Sequence, residues 1–361
     1  MSTLTKEIIT EKYSDTKPEH VEWLWENKIP NMGVTLFVGD PEAGKTTTSI
    51  YIAAQVSTGR TFPNCKKPTD AGTVLIISGE DSHPAIVLPR LMVAGADLTK
   101  VERIIAVRTT VTVGEETKSQ NDPLTDLGEN LDALENKIKA MPNFKLLILD
   151  TLTSYLGKKD ISSMGDMKGL LDRLSEMAYQ HHFAVIAIHH FNKNEDASAA
   201  YRSLGSTGIR AAARSEWGFV RDEHDQERFL MLCGKSSWGK KDTGLAFGIE
   251  GEEITIEGKP SWPGCCIFEA GVLQETLKDI LEKKHKKGSP RHDEAVEWIR
   301  DFMKDGCEWC PDDVIATAGQ FGIKEKTLRG ALKEAGVTPR AIISPTTKRV
   351  ESWRWKCAKL S

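Results

Sequence analysis

The sequence predicts an α/β fold: a mainly parallel sheet covered by helices, extended by antiparallel strands, with a small second domain towards the C-terminus. Three observations predict it. Apolar strand-like runs alternate with helix-compatible segments from Thr35 to Ile188. Between the first strand and the first helix, Gly39-Asp40-Pro41-Glu42-Ala43-Gly44-Lys45-Thr46 fits the phosphate-loop pattern G-x-x-x-x-G-K-[ST] at every fixed position. Finally, 361 residues exceed one typical domain.

Taken in order, residues 1–20 are polar and read as a loose arm. The expected strands are Thr35–Val38, Thr73–Ile77, Ile104–Val107, Leu146–Leu149 and Phe183–Ile188, with helices at Leu127–Met141 and Met167–His181. Each strand is a short, continuous apolar run, the form of a parallel strand buried on both faces. Beyond residue 214, Trp217–Val220, Phe229–Leu232, Leu245–Ile249 and Glu253–Ile256 read as an antiparallel extension of the same sheet. A Lys-rich stretch then ends in Gly288-Ser289-Pro290. The expected organisation is therefore an arm (1–20), a main domain (21–270), a linker (271–290) and a small domain (291–361).

Hydrophobic residues make up 39% of the chain and charged ones 28%, which describes a globular protein able to bury a core. No run of 18 apolar residues occurs, and Met1–Glu7 carries no signal-peptide core, so the expectation is a cytoplasmic protein with no membrane partner. Seven scattered cysteines fit reduced thiols, and the lone C-x-x-C of Cys307 and Cys310 reads as two ordinary thiols. The net charge of −4 is uneven: residues 276–361 carry 18 Lys and Arg against 13 Asp and Glu. A basic tail on an acidic body points mildly to nucleic acid.

The phosphate loop predicts the chemistry. Its glycines let backbone N–H groups, from Gly39 through Thr47, wrap a polyphosphate at the positive end of the following helix. Lys45, expected to be solvated, would reach the β- and γ-phosphates of ATP, and the Thr46 hydroxyl would ligate Mg2+. Leu146–Leu149 leads into Asp150, a strand-end carboxylate suited to the Mg2+ cluster. Ile76-Ile77-Ser78-Gly79-Glu80-Asp81 is another strand ending in acids. Glu80 is the candidate for orienting the attacking water, with Asp81 second. His189 and His190 end the fifth strand, where one histidine could sense the γ-phosphate. Beyond a long polar loop, Arg210 and Arg214 flank Ala211-Ala212-Ala213, and an arginine there could neutralise charge on a neighbour's phosphate.

These residues, with Trp23-Leu24-Trp25, Ile29-Pro30, Tyr201-Arg202-Ser203-Leu204-Gly205-Ser206, Ala213-Arg214-Ser215 and Lys235-Ser236-Ser237, stand in an order that resembles one family over residues 21–258. It is the RecA-like P-loop ATPases related to plasmid-encoded RepA hexameric helicases, common on phages and mobile elements. The resemblance implies ATP held between subunits of a homo-hexameric ring. It makes Glu80 the catalytic carboxylate, His190 the γ-phosphate sensor and Arg214 a finger acting in trans. Lys235 is similar in position to a second trans-acting basic residue of the DnaB-type helicases. Loops around Tyr155–Met167 and Asn192–Gly208, the latter carrying Arg202, would face single-stranded DNA in a central channel. Two departures stand out: Glu42 replaces the usual loop glycine, and Ser237 and Trp238 occupy the place of an arginine that follows the lysine.

The tail from His292 to Lys359 resembles a winged helix. Asp293–Lys304 and Asp312–Ala318 read as its first helices, Lys324–Ala335 as a recognition-type helix, and Ala341–Ile343 with Arg349–Trp355 as the wing. Lys326, Arg329 and Lys333 fall on one helical face and Leu328, Ala331, Leu332 and Ala335 on the other, as groove binding to duplex DNA requires. The leading expectation is an ATP-driven oligomeric DNA motor. The alternative is a non-translocating ATPase switch that loads or regulates replication proteins, or a DNA-binding regulator.

Overall fold

The computed structural model describes residues 7–113, 116–157, 164–190, 207–239, 244–286, 290–304, 306–344 and 350–357. The chain divides into two compact units, Met1–Lys278 and Asp279–Ser361, a boundary that falls inside the stretch read as a linker.

In the first unit, β1 (Trp23–Trp25) and β2 (Ile29–Pro30) form a small antiparallel ribbon. β3 (Gly33–Gly39) leads through the phosphate loop into α1 (Lys45–Thr58). Then come β4 (Thr73–Ser78), α2 (Leu88–Val93), β5 (Val101–Arg103), the hairpin of β6 (Val107–Val113) and β7 (Glu116–Asp122), and α3 (Leu131–Ala140). They are followed by β8 (Phe144–Asp150), α4 (Met164–His181), β9 (Ala184–His190) and a short helix, Thr207–Ala212. The unit continues with β10 (Ser215–Arg221), β11 (Arg228–Ser236), β12 (Leu245–Gly251), β13 (Ile254–Ile256), β14 (Lys259–Ser261) and β15 (Gly264–Phe268).

The main sheet has nine strands in the order β15-β12-β11-β10-β3-β9-β8-β4-β5. From β10 to β5 every pairing is parallel, and from β10 to β15 every pairing is antiparallel. This is the expected mainly parallel α/β sheet with its antiparallel extension. β3 is buried along its whole length, as a strand covered on both faces should be. Phe37, Trp217, Phe219 and Phe247 pack into one core with Trp25, whose ring stacks on Phe62 with centroids 4.9 Å apart. Membrane-spanning length and apolarity are found in no helix among the described residues.

Three expectations change. Ile104–Val107 is not a strand: β5 ends at Arg103 and β6 begins at Val107, because the chain leaves the sheet there to form an exposed hairpin. Glu253–Ile256 does not extend the main sheet, since Ile254–Ile256 turns at Glu257 and Gly258, both at positive φ, to pair with β14. The edge of the extension is instead β15, whose half-exposed Gly-Cys-Cys-Ile-Phe carries little pattern.

The second unit contains most of the Leu277–Lys286 helix, then the Pro290–Phe302 helix, β16 (Glu308–Trp309), the helices Pro311–Gln320 and Glu325–Ala331, β17 (Val337–Ile343) and β18 (Val350–Cys357). Its sheet order is β16-β18-β17, antiparallel throughout. Ala295, Ile299, Met303, Val314, Leu328 and Trp355 share its core.

Candidate functional site

β3, β9, β8 and β4 lie side by side and parallel, so their carboxyl ends share one edge. Register sets Gly39 level with His190 and Ser78 level with Asp150. Polar residues at these strand ends therefore face a common crevice, where open parallel sheets bind ligands.

The phosphate loop is shaped by close packing. A Cβ on Gly39 would stand 2.4 Å from the Phe219 carbonyl oxygen, so only glycine fits. Gly44 has φ 86°, and a Cβ there would meet the Phe247 ring at 2.9 Å. Glu42 has φ 61°, a left-handed conformation uncommon for a residue with a side chain. The glutamate thus adopts the backbone shape that the usual glycine takes freely, while its side chain stays exposed.

Lys45 is not solvated. It is 4% exposed, and its Nζ donates to the carbonyls of Gly39 at 2.9 Å and Asp40 at 2.6 Å. The loop's own oxygens enclose the ammonium that a solvated position would have left to water. Burial lowers its pKa to about 8, opposed by the charges of Asp150, Asp40 and Glu80. The loop amides and this cation make a cradle suited to a polyphosphate.

Thr46 Oγ1 donates to Asp150 Oδ2 at 2.8 Å. Burial pushes the Asp150 carboxyl up to about 6; the Thr46 hydrogen bond opposes this, and the nearby Glu80 and Asp81 add to it. A hydroxyl and a carboxylate side by side fit Mg2+, which takes oxygen donors and needs only one or two from protein beside phosphate and water. Among the described residues no group of three His, Cys, Asp or Glu forms a metal cage.

Glu80 stands at the crevice. Its Oε1 accepts from Thr151 Oγ1 at 2.8 Å, and its Oε2 lies 3.6 Å from His190 Nε2. Asp81, the second choice by sequence, is instead ion-paired with Arg90 at 3.2 Å. His189 is enclosed, and burial together with His190 and Lys45 lowers its pKa to about 4, so it is neutral at ordinary pH. Sequence reasoning missed Thr151, which orients Glu80, and Tyr155, whose hydroxyl would stand 2.9 Å from any Cβ on Gly79. A polar residue directly after the strand-end acid was the available signal for Thr151.

The other basic candidates lie elsewhere. β10 runs parallel to β3 with Ser215 level with Thr35 and Phe219 level with Gly39. Arg214 therefore sits at the opposite edge of the sheet, about 16 Å along the strand direction from Gly39. Its side chain is exposed, while Ser237 N–H donates to its carbonyl at 2.9 Å. Arg210 pairs with Glu216 at 3.2 Å and donates to the Gly234 carbonyl at 3.0 Å. Lys235 Nζ donates to the carbonyls of Arg210 and Ala213, each at 2.7 Å.

Arg202 and most of the two expected channel loops lie outside the described residues. In the second unit Lys326 and Arg329 are exposed on the Glu325–Ala331 helix, whose Leu328 and Ala331 are buried. Lys333 is also exposed but follows the helix, which ends four residues earlier than expected as the chain turns towards Gly336 at φ 81°. Arg329 pairs with Glu325 at 2.8 Å and lies 5.7 Å from the centroid of the Trp355 ring.

The family described as an AAA domain matches residues 5–196. Among solved structures, the ATPase domain of another protein is similar at 12% identity and TM-score 0.44, over 60% of this chain and 81% of that one. No curated protein matches.

Proposed function

Because the chain belongs to the AAA domain family, we propose that this nucleotide-binding ATPase is an oligomeric DNA motor, a RepA-like replicative helicase of a phage, plasmid or mobile element. The observation that carries the hydrolytic part is the convergence of Lys45, the Thr46–Asp150 pair and the Thr151-held Glu80 at one edge of the sheet. The loop amides and Lys45 bind the phosphates of ATP, exchanging the lysine's contacts with Gly39 and Asp40 for phosphate oxygens. Mg2+ would be held by Thr46 and Asp150 and would neutralise charge on the transferred phosphoryl group. Glu80 orients a water and takes its proton, with Thr151 fixing one carboxylate oxygen. The level of His190 with Gly39 supports its role as the residue that meets the terminal phosphate.

Arg214 supports the oligomeric part. It is exposed and at the wrong edge for its own loop, so a phosphate contact by Arg214 has to be made to a neighbour's nucleotide. From the Pro290–Phe302 helix onward, the helix–strand–helix–helix–strand–strand order of the second unit, with exposed Lys326 and Arg329, supports a winged-helix reading and duplex DNA as its partner. The engagement of Lys235 within its own chain supports a second reading, an ATPase switch that loads or regulates replication proteins without translocating.

Glu80→Gln tests the site. The variant should bind ATP with Mg2+ as the parent does and hydrolyse it at least about 100-fold more slowly, since an amide cannot take the proton. Nucleotide binding by equilibrium titration and single-turnover hydrolysis separate the two effects. Loss of binding would remove Glu80 from water activation.

A further inference from the structure

We propose that Lys235, Arg210 and Glu216 form a charge clamp inside each subunit that fixes the Arg214 segment, and that Lys235 is a positioning residue rather than a phosphate contact. Its catalytic consequence rests on the trans role of Arg214 proposed above; the clamp itself does not.

Five contacts converge on the turn between the Thr207–Ala212 helix and β10. Lys235 reaches from β11 and donates to the carbonyls of Arg210 and Ala213, at the helix end where carbonyls lack intrahelical partners and a cation is favoured. The Ser237 amide holds the carbonyl of Arg214 itself. Glu216 is wholly buried, one residue into β10 beyond Ser215, and directly opposite Lys235 in the β10–β11 pairing. Arg210 pairs with Glu216 through Nε and holds the Gly234 carbonyl through its other end. A Cβ on Gly234 would stand 2.3 Å from Glu216 Oε1, so β11 is also shaped to leave room for the carboxylate.

Lys45 donates to carbonyls of the phosphate loop itself, whereas Lys235 ties β11 to the end of another element, so moving its ammonium to a phosphate would release the Arg210 and Ala213 carbonyls and detach the turn from β11. The three side chains therefore hold the turn and leave Arg214 exposed on it. Rigidity matters because a finger acts through position, and small displacements at a reacting centre are costly.

The test compares Lys235→Met and Lys235→Gln with the parent, full-length and free of nucleotide, by hydrogen exchange, alongside kcat and nucleotide affinity. Two charge-assisted hydrogen bonds correspond to about a hundredfold in local opening. Exchange in residues 209–216 should accelerate at least tenfold in the Met variant and less in the Gln variant, whose shorter, neutral NH2 still donates. β3 and β8 should stay protected. Turnover should fall in the same order, while affinity for ATP at the variant's own loop stays within twofold. Lost turnover with unchanged exchange in either variant overturns the clamp and returns Lys235 to a phosphate contact. If Arg214→Ala keeps full turnover but the exchange result holds, the trans reading fails and the clamp stands.

Discussion

A carboxylate with no solvent exposure must be neutralised by partners or by a proton, and Glu216 draws on both. Burial raises its pKa to about 7 against the attraction of Arg210 and Lys235. The folded state then keeps a proton up to about pH 7, whereas the unfolded chain loses it above its ordinary value of 4.5. Between these values the native state binds more protons, so stability falls as pH rises through that window and stays lower above it. Glu216→Gln carries no such titration. Relative to the parent it should gain up to about 3 kcal/mol at pH 8 and close to nothing at pH 4, since the pKa shift already counts the attraction of the two cations. Urea unfolding of parent and variant at both pH values measures the difference. An equal effect at both would mean the carboxylate is charged throughout. Lys45 is likewise only partly legible: the sequence predicts a phosphate-binding lysine, but its enclosure by the Gly39 and Asp40 carbonyls comes from the loop's three-dimensional path.

At the scale of elements, legibility followed the kind of pairing. β3, β4, β8 and β9 were readable because strands buried on both faces are continuous apolar runs, and their ends carried Gly39, Glu80, Asp150 and His190 to one edge. The antiparallel side was less readable. β15 is half exposed, and which strand neighbours β12 depends on register that no local pattern encodes. The exposed β6–β7 hairpin buries almost nothing, so no hydrophobic period announced it. The clamp was invisible because residues 210 and 235 meet only through the β10–β11 register. Domain ends follow suit. Leu277 is 2% exposed and fills the space over Gly218, and Leu273 exchanges both backbone hydrogen bonds with Gly244. A chain ending at residue 278 should keep ATP turnover and lose duplex DNA affinity along with its salt dependence. One ending at residue 270 should be less stable by about 2–4 kcal/mol, because it gives up the Leu277 burial. Thermal unfolding and fluorescence-anisotropy titrations of the two truncations check both statements. Equal stability would place Leu277 outside the first unit's core.

At the scale of the whole molecule, the residues proposed for hydrolysis and Arg214 occupy opposite edges of one sheet, about 16 Å apart along the strands. A closed head-to-tail assembly brings such edges together, one subunit offering its loop and the next its arginine. If that is the arrangement, Arg214→Ala removes a contribution to the neighbour and leaves its own loop intact. Arginine fingers are worth on the order of a thousandfold in turnover, so the pure variant should be almost inactive while binding ATP normally. Lys45→Ala fails in the complementary way, with an intact Arg214 beside a crippled loop. Mixing the two inactive proteins should restore activity, because a Lys45 loop from one meets an Arg214 from the other at a fraction of the interfaces. The recovered rate should peak near equal mixing, where such interfaces are most frequent. Arg210→Ala is the contrast: by leaving Glu216 buried and unpaired it should cost stability as well as turnover. A steady-state ATPase assay across mixing ratios reads the outcome, and no recovery at any ratio would confine Arg214 to its own subunit.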